Sequence, residues 1–143
     1  MNATTHAVTF ELTRKIAQLG VLFRAEFPGA EVDLNPWLTD TDTQCWIDPH
    51  SIDLSFYFPQ QHQGLQCNCI LLEVKFSQEL IDPDCQLNEI KAHGFSYGQL
   101  QWSFDSHRGD FMGEFAPDFG YQGIFIGFVA KVFQLFNRSI VNR

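Results

Sequence analysis

The chain has 143 residues, of which 45% are hydrophobic and 18% are charged, and its formal net charge at pH 7 is −8. A chain of this length is the commonest size of a single domain and can bury a core without disulfides or metal ions. Because binding to DNA or RNA depends mainly on Lys and Arg displacing counterions from phosphates, nine basic residues against 17 acidic ones argue against nucleic acid and against anionic membranes.

The start of the chain does not resemble a secretory signal. Residues 1–7 lack the positively charged segment and the apolar run that such signals share. The four cysteines are then expected as buried thiols in a reducing compartment. We therefore expect one α+β domain over residues 1–143, located in the cytoplasm, with no cofactor and no membrane partner.

The first predicted element is an amphipathic helix over residues 8–27, ended by Pro28 and Gly29. Apolar side chains recur on one side of it at helical spacing: Val8, Leu12, Ile16, Leu19, Phe23 and Phe27. A weak strand is predicted over residues 30–34. An irregular, turn-rich segment follows and extends to His50.

The clearest strand signal begins at Ser51, where the apolar period changes from that of a helix to two. The side chains expected to face the core are Ile52, Leu54, Phe56 and Phe58 in this strand and Ile70, Leu72, Val74 and Phe76 in the next. With a loop over residues 59–64 between them, the two segments read as an antiparallel hairpin.

A short helix is predicted next, with Asp82 at its start, Pro83 in its first turn and Gly94 past its end. A second hairpin follows over residues 95–104 and 110–115, with Gly98 as a candidate bulge. The predicted fold is α+β: an antiparallel sheet of four to five strands in two hairpins, a short helix between the hairpins, and N- and C-terminal helices packed on one face.

The last segment, from residue 124 onward, predicts a helix whose apolar side chains cover about 200° of its circumference. One sheet shields only about half that width, so a second surface is expected to cover it, either the N-terminal helix or another chain. We expect a homodimer, with these residues at its interface: Phe125, Phe128, Val129, Val132, Phe133 and Phe136.

Cys67 and Cys69 lie on a predicted strand, where their sulfurs project from one face about 7 Å apart. Cys85 or His93 could complete a metal site with them. Zinc ligands more often sit at a turn with two residues between the cysteines, so filling of the second sheet face is favoured and no metal site is predicted.

The turn-rich segment collects oxygen and imidazole groups at Asp40, Asp42, Asp48 and His50, in a loop, where binding residues often lie. Counted from Asp40, the spacing does not match a helix-loop-helix calcium loop. The favoured interpretation is that the aspartates cap turns. The alternative is a small enzyme or ligand-binding domain that uses Asp48 and His50 in a pocket near the 37–50 loop.

Two tryptophans, Trp37 and Trp46, lie in the same loop. They are expected either to present a surface to a protein partner or to cover the core, and covering the core is favoured.

Other reactive side chains have ordinary structural explanations. Glu73, Asp110 and Glu114 lie on predicted strands and could meet as two carboxylates on the solvent face of the sheet, but ordinary surface carboxylates are favoured. His93 is expected as a favourable cation in the last turn of the predicted helix. Residues 94–98 meet the spacing G-x-S-x-G but lack the strand-then-helix context of a nucleophile elbow. No catalytic residue is therefore predicted.

In element order, size and charge the chain looks like the small acidic secretion chaperones, in which helices back a curved sheet and two copies pair through one helix. We expect a chaperone-like, non-catalytic protein-binding or assembly module that acts as a homodimer, because the last helix has a broad apolar arc and the sequence contains no convincing reactive constellation. The likeness of layout and size does not by itself imply a function. The small enzyme or ligand-binding domain described above is the alternative function.

Overall fold

The computed structural model describes residues 1–36, 48–82 and 84–141. In chain order the elements are a single-turn 3₁₀-helix (Ala3–His6), α1 (Phe10–Glu26), β1 (Glu31–Asp33), β2 (Ser51–His62), β3 (Cys67–Phe76), β4 (Leu87–Ser96), β5 (Gln99–Asp105), β6 (Asp110–Met112) and α2 (Phe119–Val141). The strands form one antiparallel sheet in the order β1-β2-β3-β4-β5-β6. The α+β class and the two terminal helices are thereby confirmed.

The predicted number of strands was wrong, because the segment predicted as a middle helix is the strand β4. Asp82 does cap a turn, accepting the Asp84 N–H at 2.8 Å, but no described helix follows it. The pairing Phe76↔Leu87 and Lys75↔Glu89 leaves Asn88 as an extra residue in β4. This bulge puts Leu87 and Ile90 on one face although they are three residues apart, which is the spacing of a helix.

A second bulge corrects the prediction for β5. The pairs Gly94↔Trp102 and Phe95↔Leu100 leave Gln101 as the extra residue. Leu100 is consequently 57% exposed, whereas Trp102 is fully buried, so the two side chains do not share a face as unbroken alternation along the strand would place them. Gly98 lies in the tight β4–β5 turn with a φ of 86°, a conformation that favours glycine, and not at the bulge.

The two helices pack side by side against one face of the sheet. Thr9 caps α1 by accepting the Leu12 N–H at 3.1 Å, and Ile16, Leu19 and Phe23 are buried. An ion pair of 2.7 Å joins Lys131 of α2 to Glu26 at the end of α1. The second surface that the breadth of α2 predicted is therefore α1, the first of the two alternatives.

Phenylalanine rings fill much of the space between the helices and the sheet, although Phe10, Phe115 and Phe119 are exposed. Phe23 of α1 stacks on Phe56 of β2 with ring centroids 3.8 Å apart, and Phe128 of α2 meets the Phe23 ring edge-on at 5.3 Å. Further along the sheet, Phe125 meets the Trp102 ring edge-on at 5.8 Å. Aromatic pairs in these geometries add to the stabilisation from burial alone.

The outer strands of the sheet are short. β1 and β6 have three residues each, and they pair with only part of the longer β2 and β5. Beyond β1, the edge of β2 is met by Asn2, which forms an isolated parallel bridge with Asp53. Both faces of β2 are therefore buried over residues 51–56, because Ser51, Asp53 and Ser55 are covered as well as the core-facing residues.

Candidate functional site

The six residues predicted at a dimer interface lie on the inner side of α2. Phe125, Phe128 and Val132 are fully buried within the protomer and Val129 is 5% exposed. Phe133 and Phe136 are half-buried and pack against the same core. The residues of α2 that are exposed to solvent are therefore different from the six predicted at the interface.

The exposed side of α2 is lined by glycine. Gly120, Gly123 and Gly127 share this side, and a Cβ added to any of them would meet nothing within 4 Å. Exposed apolar side chains flank the row: Phe119 (90% exposed), Ile124 (39%) and Ile126 (42%). We call these six residues the glycine face.

The segment that carries this face is nearly free of charge. Between Phe119 and Asn137 the only charged residue is Lys131. By length and composition the segment is also apolar enough to cross a membrane, with a mean hydropathy of 1.3. Core helices of soluble proteins that meet the same criterion are mostly buried, whereas only 22% of this segment is buried, on the side that packs against the sheet.

On the opposite face of the sheet, three polar side chains on neighbouring strands form a hydrogen-bonded chain. His93 of β4 places Nε2 at 2.9 Å from Glu73 Oε1 on β3 and Nδ1 at 3.0 Å from Ser103 Oγ on β5. The hydrogen bond from His93 lowers the pKa of Glu73, against the opposing effect of burial. The prediction that His93 ends a helix was wrong, because the residue lies within a strand.

The order carboxylate, imidazole, hydroxyl is that of a hydrolase triad. With Nε2–H donated to Glu73, the His93 Nδ1 is left to accept the Ser103 hydroxyl proton. A hydrolase also needs free N–H donors for the oxyanion, and the strands here pair with neighbours on both sides. We therefore interpret the chain as cross-strand stabilisation of the sheet.

A second polar cluster lies where β5 turns into β6. Ligand atoms of Glu89, Asp105 and His107 all lie within 4.8 Å of one another. His107 Nδ1 is 3.0 Å from Glu89 Oε2, and the His107 backbone N–H donates to Asp105 Oδ1 at 2.9 Å. Burial works to raise the pKa of Asp105, but the His107 N–H and the contact with Glu89 outweigh it and lower the pKa.

Asp48 and His50 are the predicted loop residues that the structure describes, and they lie in different surroundings. Asp48 Oδ1 accepts the His50 backbone N–H at 2.9 Å, and Oδ2 lies 3.7 Å from Lys75 Nζ, so Asp48 caps a turn. His50 borders an open depression of about 500 Å³, whose lining comprises His50, Ser77, Gln78, Glu79, Ile81 and Asp82, without Asp48. Trp37, Trp46, Asp40 and Asp42 lie outside the described residues.

The cysteines of the described residues are free thiols. Burial raises the pKa of Cys67 to about 12 and also raises the pKa of Cys69. Cys85 lies in the β3–β4 connection with Sγ 3.5 Å from the Gln78 carbonyl oxygen. Raised thiol pKa values disfavour thiolate chemistry at pH 7. Cys67 is buried as expected, whereas Cys69 and Cys85 are only partly buried.

Both polar clusters were missed by sequence reasoning, because each joins side chains from strands whose register depends on the bulges. The alternation of residues in β3 and β5 shows which of their side chains share a face. It could have indicated the clusters only if β4 had been predicted as the strand between them.

Comparison with known proteins places the chain in a family without assigning an activity. No curated protein and no solved structure matches it. One family model, described as a domain of unknown function, matches residues 4–138. Because this match covers nearly the whole chain, the protein belongs to that family.

Proposed function

We propose that the chain is a non-catalytic assembly module that acts as a homodimer through the glycine face of α2. The observation that carries the proposal is the open space around Gly123 and Gly127 in the middle of a long helix. Glycine in a helix interior is less favourable than alanine by about 0.8–1.0 kcal/mol. Packing within the protomer gives no reason for glycine at these positions, whereas close approach of a second backbone does.

A second copy is the occupant that the charges favour. The protein carries a net charge of −8, so two copies repel each other over most of their surfaces. The segment Phe119–Asn137 contains no carboxylate, and two copies that meet along it bring none together there. An interface of this kind is isologous, since the same residues of each copy meet about a twofold axis.

The shape of the glycine face also suits a second copy of itself. Ile124 and Ile126 project on either side of the glycine row, and each could fill the space above a glycine of the partner. Glycine at such a contact allows interaxial distances near the lower end of the usual range, about 8 Å. The opposite face of the sheet would stay open to a protein partner, as in the chaperone-like layout.

Sedimentation equilibrium of the full chain tests the proposal. We expect a concentration-dependent dimer, and we expect Ile126→Asp to be monomeric because it places a charge in the interface. Leu100→Asp is the matched control, because Leu100 is similarly exposed at 57% but lies on β5. A monomer at tens of micromolar, or equal loss of the dimer in both variants, would contradict the proposal.

Vesicle flotation separates the dimer from a membrane-bound state. If wild-type protein binds phosphatidylcholine vesicles as a monomer and Ile126→Asp does not, the glycine face contacts lipid and the homodimer proposal fails.

The alternative of a ligand-binding or enzymatic pocket near His50 has less support. His50, Glu79 and Asp82 border the depression, but the Asp48 carboxylate is engaged in a turn cap and an ion pair. If His50→Ala abolished binding of a small molecule that copurifies with the protein, this alternative would gain the support it now lacks.

A further inference from the structure

The cluster at the β5–β6 turn differs from an ordinary surface ion pair in the arrangement of its imidazole. His107 Nε2 lies 3.2 Å from the backbone carbonyl oxygen of Asn88, which can only accept a hydrogen. This contact favours the tautomer with the proton on Nε2. The lone pair of Nδ1 is then directed at Glu89 Oε2, 3.0 Å away, with the Asp105 carboxylate beside it.

Three lone-pair donors at such short range are stabilised only if a cation lies between them. That cation is a metal ion or a proton, and the proton would sit on Nδ1, as in an ordinary ion pair, or between the Glu89 and Asp105 carboxylates. A backbone carbonyl that holds the far ring N–H is the usual second-sphere partner of a metal-bound histidine. Ligand atoms about 2.1 Å from a tetrahedral zinc ion are about 3.4 Å apart, so His107 Nδ1 and Glu89 Oε2, at 3.0 Å, would need to separate by only about 0.4 Å to admit the ion.

We propose that Glu89, Asp105 and His107 bind a divalent transition-metal ion such as Zn²⁺, with the Asn88 carbonyl orienting the imidazole. One nitrogen and two carboxylate ligands suit Zn²⁺ or Co²⁺ better than Ca²⁺ or Mg²⁺, which prefer oxygen ligands alone. Each ligand comes from a different place in the chain: β4, the end of β5 and the β5–β6 turn. A bound ion would therefore tie the turn to β4.

Nearby lysine side chains could compete with a metal ion for the carboxylates of Glu89 and Asp105. Lys91 is the cross-strand partner of Asp105, and Lys75 is the partner of Glu89. The Lys75 ammonium is already 3.7 Å from carboxylate oxygens of both Asp48 and Glu73. Glu89 is therefore left with His107 and Asp105 as the side-chain partners that a metal would join.

Calorimetric titration of the purified full chain with ZnCl₂ tests the site, with CaCl₂ as a comparison. We expect saturable binding of one Zn²⁺ that is weakened at least about tenfold in His107→Ala, and no comparable binding of Ca²⁺. Asp105→Asn is the sharper variant, because the asparagine oxygen still accepts the His107 N–H while the charge is removed. It should weaken Zn²⁺ binding while the thermal unfolding of the metal-free protein changes little.

The matched control is His93→Ala, since His93 also contacts one carboxylate, that of Glu73, at 2.9 Å. Equal weakening in His93→Ala and His107→Ala would mean adventitious binding to surface histidines and would overturn the proposal, as would the absence of saturable binding. Nitrogen NMR of the imidazole rings provides a second measurement. On adding Zn²⁺, the His107 Nδ1 resonance should shift and that of His93 should not.

Discussion

Replacing Gly123 and Gly127 by alanine should make the isolated protomer more stable and the dimer weaker. In the protomer each added methyl group meets open space, so the gain in helix propensity is not offset by a clash. That gain is about 0.8–1.0 kcal/mol per residue, or about 2 kcal/mol for the double variant. The melting temperature of the monomer should rise by roughly 4–8 °C.

In the dimer the same methyl groups lie where two backbones are proposed to touch. Inserting methyl groups into a packed contact costs about 1–3 kcal/mol. The dissociation constant should therefore rise roughly 5-fold to 150-fold. Opposite signs for the two effects distinguish an interface from a helix side that simply faces water.

The assay combines urea unfolding, at a concentration where the protein is monomeric, with sedimentation equilibrium over a concentration series. Ala17→Gly, on the exposed side of α1, is the control: it should lower the stability by about 1 kcal/mol and leave association unchanged. If the double variant is more stable and associates as tightly as wild type, the reasoning about the glycine face is refuted.

Three further predictions concern the core and the pH dependence of stability. In Gly94→Ala the new Cβ would lie 2.3 Å from Cε2 of the buried Trp102, so urea unfolding should show a loss of about 1–3 kcal/mol; a neutral effect would mean that the ring can move. Phe125→Ala removes a fully buried ring and should cost about 3–5 kcal/mol; a loss below about 1 kcal/mol in the same assay would contradict the packing described. Burial lowers the pKa of His6 below its ordinary value of 6.5, so the unfolded chain takes up a proton first as the pH falls. The contribution of His6 is thus complete above pH 6.5 and is lost as the pH falls through its folded-state pKa, and melting temperatures of His6→Gln should depend less on pH in that range; parallel pH profiles would exclude His6 as the cause.

The sequence predicts the strands whose alternation is unbroken and fails where a bulge intervenes. Ile70, Leu72, Val74 and Phe76 alternate without interruption, and all four are buried as expected. In β4 the extra residue Asn88 separates the two apolar residues before and after it by three positions. Apolar residues spaced three apart fit a bulged strand as well as a short helix. Only pairing with the neighbouring strand distinguishes the two structures.

The width of the apolar surface on α2 was predictable, but its partner was not. The broad apolar arc requires two covering surfaces, and nothing in the arc says whether the second one is α1 or another chain. The polar clusters were not predictable for a similar reason, since they depend on the register between strands. His93 meets Glu73 and Ser103 only because three strands lie in a particular register, which local patterns do not specify.

The short outer strands also bear on how copies of this protein can join. Unpaired strand edges are where sheets of separate molecules fuse into fibrils. Because β1 and β6 have only three residues each, either edge strand offers an incoming strand only a short length of backbone to pair with. Growth by sheet extension at these two strands is thereby disfavoured, and the dimer proposed through α2 would not need them.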